Sequence, residues 1–236
     1  MQRGRRMEGF SRYAIYWTPE EGPLAQFGRG WLGWDAEAAE PVPHPAVAGL
    51  PRDLALITQA PRKYGLHGTL KPPFRLAEGT DVTDLHAAVL ALCPYLAPVT
   101  LPGLRLTRIG GFLALVPAGE EEALQALAGE VVRALDGFRA PLSEAELARR
   151  RPDRLTPRQR GHLADWGYPY VFEDFRFHLT LTGELPEAEL AEVEAVLGHL
   201  LSPILAEPLR VDSLSLCAEA ADGRFRLLER LPLARS

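Results

Sequence analysis

Residues 66–70 read L-H-G-T-L and residues 177–181 read F-H-L-T-L, so the pattern His-x-Thr-Leu occurs twice, at His67 and at His178. With 6 histidines and ten threonines in 236 residues, chance supplies about 0.25 His-x-Thr per chain, and one copy would mean little. Two copies, each followed by leucine, mean much more. In an extended strand residues i and i+2 share a face. His67, Thr69 and Lys71 then project one way and Leu66 and Leu70 the other. In the second copy His178, Thr180 and Thr182 oppose Phe177, Leu179 and Leu181. Each strand separates an apolar side from a titratable one.

The order of elements downstream repeats as well. Residues 66–70 form a strand that Pro72 and Pro73 are expected to cut. A helix over 83–92 follows, with Asp81 or Thr80 placed to cap it. Then come strands over 99–107 and 112–116, joined through Ile109-Gly110-Gly111 as a hairpin. After the second motif, in an alternating strand over 175–182, a helix over 187–201 precedes strands over 209–216 and 224–231 around Asp222-Gly223. His67 to Val99 is 32 residues and His178 to Leu209 is 31. These spacings predict an α+β protein with a bilobal, pseudo-twofold duplicated fold of antiparallel sheets with flanking helices. Its lobes centre on 62–117 and 172–232, within one domain over 9–236 that follows a disordered tail at 1–8. Lobes that face each other across a cleft would bring the two imidazoles together.

Around the repeats, Arg12–Trp17 is a strand rich in aromatic and β-branched residues. A short helix within 23–34 ends at Gly33, 120–135 is an amphipathic helix, and 141–165 carries two short helical signals, the second with Thr156 as cap and Pro157 at its first position. The role of 19–61 and 141–165 has no sequence signature.

Composition narrows the function classes. The chain is 47% hydrophobic, 24% charged and 8% aromatic, an ordinary globular balance. Its 21 glycines and 21 prolines predict a turn-rich fold. A formal net charge of −5 argues against long nucleic acid as a partner, because that surface needs many clustered cations. A short RNA end needs only a local basic pocket and stays open. Cys93 and Cys217 lie far apart, so no disulfide framework or CxxC metal site is present and both read as buried thiols. No apolar run nears the ~20 residues that span a bilayer, and the basic start lacks the apolar stretch of a signal peptide. A cytoplasmic protein with no membrane partner is expected; oligomeric state has no signal.

The paired motif suits phosphodiester chemistry. One imidazole can take a proton from an attacking water or hydroxyl while a second, protonated, delivers one to the leaving oxygen. Thr69 and Thr180 can donate hydrogen bonds to the non-bridging phosphate oxygens. Neither motif has carboxylate or thiol partners at ligand spacing, so no metal and no cofactor is expected. Of 26 cationic residues only Lys63 and Lys71 are lysines, both within four positions of His67; an ammonium there can hold a phosphate oxygen as a point charge. Arg176 is the counterpart beside His178. Among Tyr13, Tyr16, Tyr64, Tyr168 and Tyr170, which can line a cleft, Tyr64 is the first choice because it directly precedes the first motif. His44, His86, His162 and His199 read as structural or surface residues.

These paired strands in a duplicated frame resemble the two-histidine (2H) phosphoesterase superfamily, which includes the bacterial RNA-ligase-like cyclic phosphodiesterases. The string Y-G-L-H-G-T-L-K-P-P-F at 64–74, with R-Y-A-I-Y at 12–16 and F-H-L-T-L-T-G at 177–183, is similar to one branch, the uncharacterised family found in bacterial phosphonate-utilisation operons. The resemblance runs from about residue 10 to 232. It implies a bilobal fold with the site between the lobes and metal-independent action on a cyclic or 2′-type phosphodiester. Carried over by position, it implies His67 and His178 as the catalytic pair, with Thr69 and Thr180 as phosphate binders. Gly68 departs from a bulkier strand residue, which costs strand stability and suggests close approach of substrate to the backbone. Three functions follow: a cyclic phosphodiesterase for a small phosphorylated metabolite; an RNA-end 2′,3′-cyclic phosphodiesterase or ligase-like enzyme; or a non-catalytic module that binds a nucleotide or phosphonate.

Overall fold

The computed structural model describes residues 9–234, so the tail expected at 1–8 lies outside the described residues. In chain order, β1 (Arg12–Trp17) leads through α1 (Pro23–Leu32) to the short strands β2 (Trp34–Asp35) and β3 (Glu40–Pro41), then to single-turn helices α2 (Leu54–Ile57) and α3 (Gln59–Arg62). The first motif opens β4 (Gly68–Phe74), followed by α4 (Val82–Leu92), β5 (Val99–Leu101), β6 (Leu104–Ile109) and β7 (Phe112–Pro117). Next come α5 (Glu122–Ala134), α6 (Glu144–Arg149) and α7 (Pro157–Trp166). The second motif holds β8 (Leu179–Thr180), and α8 (Glu187–Leu205), β9 (Leu209–Val211), β10 (Ser213–Glu219) and β11 (Phe225–Pro232) complete the chain. Local chemistry sets several ends. Asp81 accepts from the amides of Thr83 and Asp84 to cap α4, and Thr156 caps α7 ahead of Pro157.

Seven strands form one antiparallel sheet in the order β11-β10-β1-β4-β8-β7-β6. The duplication is written in its register. His67 and His178 are 111 positions apart, and so are Gly68 and Leu179, which pair with each other across β4 and β8. In the separate β5–β9 ladder Thr100 pairs with Arg210, 110 positions on. A pseudo-twofold axis therefore passes through both pairs. The duplication extends one strand further towards the N-terminus than the spacing alone displays: β1 lies beside β4 as β7 lies beside β8, and β10 pairs with β1 as β6 pairs with β7. The motif strands are thus neighbours in one continuous sheet, not walls facing across a gap.

One sheet face carries the main core. Leu85 and Val89 of α4, Leu124 and Val131 of α5, and Leu190, Val193 and Leu197 of α8 pack with Ile15, Trp17, Leu70, Leu113, Leu115, Phe177, Leu179 and Leu216. Among the described residues the other face holds a small cluster of Ala14, Tyr16, Cys217 and Phe225, flanked by Tyr64 and Leu227. It leaves the centre of the sheet open, on the side where the histidines stand.

Several expectations change here: the strands expected over 99–107 and 209–216 each break in two, their first parts pairing as β5 and β9 and the rest joining the main sheet as β6 and β10. The strand β4 runs through Pro72 and Pro73 instead of stopping. Four residues of β4, from Lys71 to Phe74, are matched by three of β1, from Ile15 to Tyr13, and this bulge accommodates the missing amides. Conversely, of the strand expected over 175–182 only Leu179–Thr180 joins the ladder.

Candidate active site

The register fixes what stands beside what. With Gly68 opposite Leu179, His67 falls opposite Thr180 and Thr69 opposite His178, each pair with Cβ atoms about 5 Å apart. Each histidine therefore sits beside the threonine of the other motif. All four line one cavity of about 390 Å³, with Tyr16, Tyr64 and Arg150 on its walls. Gly68 faces the other way. A Cβ there would overlap the ring of Phe177, so the residue is glycine because the core needs the space, not because substrate approaches it.

Both imidazoles are held alike. His67 Nδ1 lies 2.9 Å from the Gly65 carbonyl oxygen and His178 Nδ1 lies 2.9 Å from that of Arg176, in each case two residues earlier. A carbonyl only accepts, so Nδ1 carries the proton in both rings and Nε2 is left for the cavity. Their surroundings differ. The His67 ring lies 4.1 Å from the Tyr16 ring and 5.5 Å from that of Tyr64, centroid to centroid. Burial among them, helped by repulsion from His178, drives its pKa down to about 4. His67 is therefore neutral at pH 7, with a lone pair on Nε2. The His178 ring has Phe112 beside it at 6.1 Å, and no other aromatic ring pairs with it among the described residues. The hydroxyls of Thr69 and Thr180 make no hydrogen bond among the described residues. Thr182 differs: its Oγ1 accepts from Leu113 N and donates to Gly183 O.

Lys71 does not join the site. It is 2% exposed, and Nζ bonds Asp136 at 3.2 Å and the Val132 carbonyl at 3.3 Å near the C-terminal end of α5. Burial lowers its pKa to about 8 against the pull of Asp136. The phase argument fails at a register shift: Thr69 pairs with Tyr16, on the histidine side, whereas Lys71 pairs with Ile15, in the core. Lys63 stands on the rim, its Nζ 4.8 Å from the Tyr64 ring centroid. Arg176 lines an adjoining cavity of about 630 Å³ that also contains His178, Tyr168 and Tyr170. Of the other tyrosines Tyr13 belongs to the core.

Sequence reading passed over Arg150 and Phe112, which line the histidine cavity. The signal for Arg150 was there: A-R-R-R-P-D-R at 148–154 is a basic run in an acidic chain. It belongs to the segment with no sequence signature, which the fold brings to the open face.

Fold and site together define a duplicated α+β protein with a paired-histidine cavity on its symmetry axis. A family model described as "Protein of unknown function (DUF1045)" matches residues 69–226, and the chain belongs to that family, in agreement with the branch suggested by the string at 64–74. The match takes in Thr69, His178 and Thr180 and begins two residues after His67. Among curated proteins, one from Janthinobacterium sp. (strain Marseille), named ribose 1,5-bisphosphate phosphokinase PhnN, is 38% identical over 96% of this chain and 52% of its own length. One of the same name from Laribacter hongkongensis (strain HLHK9) is 35% identical over 92% of this chain and 50% of its own length. The chain spans about half the length of these relatives. Among solved structures, E. coli LigT complexed with 3′-AMP aligns over 95% of this chain and 99% of its own at 16% identity and a TM-score of 0.41. A structure described as a phosphoesterase aligns over 96% and 99% at 15% identity and 0.42. No helix among the described residues is long and apolar enough to cross a membrane.

Proposed function

We propose that this chain is a phosphoesterase that hydrolyses a cyclic phosphodiester of a small phosphorylated metabolite without a metal, with His67 as general base and His178 as general acid. One observation carries the reading: two imidazoles, each anchored through Nδ1 to the carbonyl two residues back, share a cavity with two unbonded threonine hydroxyls. Neutral His67 takes a proton from water at Nε2 as the water oxygen bonds to phosphorus. Protonated His178 gives its Nε2 proton to the ester oxygen as that P–O bond breaks. The ring opens to a phosphomonoester and an alcohol, and the two histidines then exchange protons with solvent. Thr69 and Thr180 donate to the non-bridging oxygens, and Arg150 lends positive charge.

The phosphokinase name of the longer relatives belongs, in this reading, to the half of those proteins outside the match. The lysines of this chain follow Arg62 and Leu70, so it holds no Gly-Lys phosphate loop. The phosphorylated ribose in that name supports a sugar phosphate as the carrier of the diester. A second reading, hydrolysis at an RNA 2′,3′-cyclic phosphate end, is favoured by the cavity next to His178. There Phe112, Tyr168 and Tyr170 offer rings on which a base can stack.

The test is a panel of cyclic phosphodiesters, ribose-derived and RNA-terminal, with chelator present. Turnover is expected on at least one, with His67→Ala and His178→Ala each lowering kcat by roughly 10²–10⁴. Turnover kept by both variants removes the proposed site. Loss of turnover on adding chelator replaces the mechanism with a metal-dependent one, and binding without turnover across the panel favours the non-catalytic module.

A further inference from the structure

Next to the histidine cavity, and sharing Tyr64, Arg12 and Arg150 with it, lies a smaller one of about 180 Å³. Seven cationic side chains line it against one carboxylate, Glu146, in a chain whose net charge is −5. Four of the seven are accounted for by the fold: Arg12 pairs with Glu219, Arg75 with Glu146, and Arg139 and Lys71 share Asp136. The other three, Lys63, Arg149 and Arg150, form no ion pair among the described residues, although Lys63 lies near enough to Glu219, which Arg12 already binds, to help hold that carboxyl below its usual range. Lys63 and Arg150 lie over the rings of Tyr64 and Tyr168, and Arg149 Nε reaches only the Ala145 carbonyl at 3.3 Å. They come from two separate segments, the end of α3 and the end of α6. Like charges gathered around one concavity repel unless an anion sits among them, and this repulsion serves no packing purpose.

We propose that this cavity seats a phosphate monoester carried by the same substrate whose cyclic diester lies between the histidines, so that the chain selects cyclic phosphodiesters bearing a second, terminal phosphate. The proposal deepens the phosphoesterase reading and rests on it for the reaction, though not for the binding. Tyr64 and Arg150 stand where the cavities meet, so Arg150 faces both anions. The small volume suits a phosphate group at the end of a short carrier, with bulkier parts directed to the larger cavity beyond His178.

The experiment has two arms. In the first, protein carrying His67→Ala and His178→Ala is titrated calorimetrically with ribose 5-phosphate and with ribose. Ribose 5-phosphate is expected to bind more tightly than ribose, and Lys63→Ala and Arg149→Ala each to weaken it by roughly tenfold or more, as for a lost charge-assisted bond. Arg151→Ala, which removes an exposed charge outside the cavity wall, is the control and is expected to have no such effect. Equal binding of the two sugars, or an equal loss in the Arg151 control, overturns the subsite. In the second arm, kcat/KM is compared for adenosine 2′,3′-cyclic phosphate with and without a 5′-phosphate. The wild-type ratio is expected to be about tenfold or more in favour of the phosphorylated compound and to fall towards one in Arg149→Ala. Turnover without preference overturns the subsite and leaves the phosphoesterase standing. Selective binding in the first arm with no turnover in the second does the reverse.

Discussion

Replacing Gly68 by alanine tests the link between core and site. Were the position open, the change would stabilise the protein by about 0.5–1 kcal/mol, because glycine loses the most backbone freedom on folding. The structure predicts the opposite sign. The new methyl would overlap the Phe177 ring, which is 1% exposed and wedged against Trp17 at a centroid distance of 6.2 Å. Overpacking of this kind costs about 1–3 kcal/mol. Because Gly68 pairs directly with Leu179, relief by strand separation would also pull His67 away from Thr180, so kcat/KM should fall along with stability. Guanidinium denaturation of Gly68→Ala, Phe177→Leu and the double variant at constant m-value measures the effect. Phe177→Leu should cost stability alone yet offset the alanine, giving a favourable coupling of about 1 kcal/mol or more. A Gly68→Ala protein as stable as wild type, or additive effects in the double variant, would refute the packing argument.

Other outcomes follow from the same geometry. The acid limb of kcat/KM should lie near pH 4, where His67 takes up its proton. An acid limb near the ordinary histidine value would contradict the desolvation of His67 by its aromatic neighbours. His67 also couples to stability: unfolded it protonates near 6.5, folded only near 4. Its contribution is therefore complete above about pH 6.5 and declines as pH falls to 4, by up to about 3 kcal/mol. Comparing denaturation of wild type and His67→Gln at pH 7 and 4.5 isolates it. Thr69→Val and Thr180→Val should each lower kcat/KM by about one to two orders of magnitude with little change in stability, since neither hydroxyl bonds the protein. Lys71→Met should change kcat/KM far less than either, because its ammonium is committed to Asp136; a loss equal to that of Thr69→Val would return Lys71 to the site.

Much of the fold was legible because it rests on local rules. The strand over Arg12–Trp17, the Asp81-capped helix, the Gly110-Gly111 and Asp222-Gly223 turns and the repeat spacing all depend on chain neighbours. The failures share a cause. Lys71 left the histidine face because a register shift against β1 broke the period-two alternation, and β4 crossed its prolines through the same irregular pairing. A bulge depends on the partner strand, which lies more than fifty residues away.

The site divides in the same way. His67, Thr69, His178 and Thr180 could be named from the sequence because side chains two apart on a strand must share a face, whatever the strand pairs with. Which threonine stands beside which histidine, which ring is desolvated enough to remain a base, and that Arg149, Arg150 and Lys63 gather beside them were decided only by folding. Position along the chain fixes the direction of a side chain relative to its immediate neighbours; burial and electrostatic field arise from every segment that packs around it.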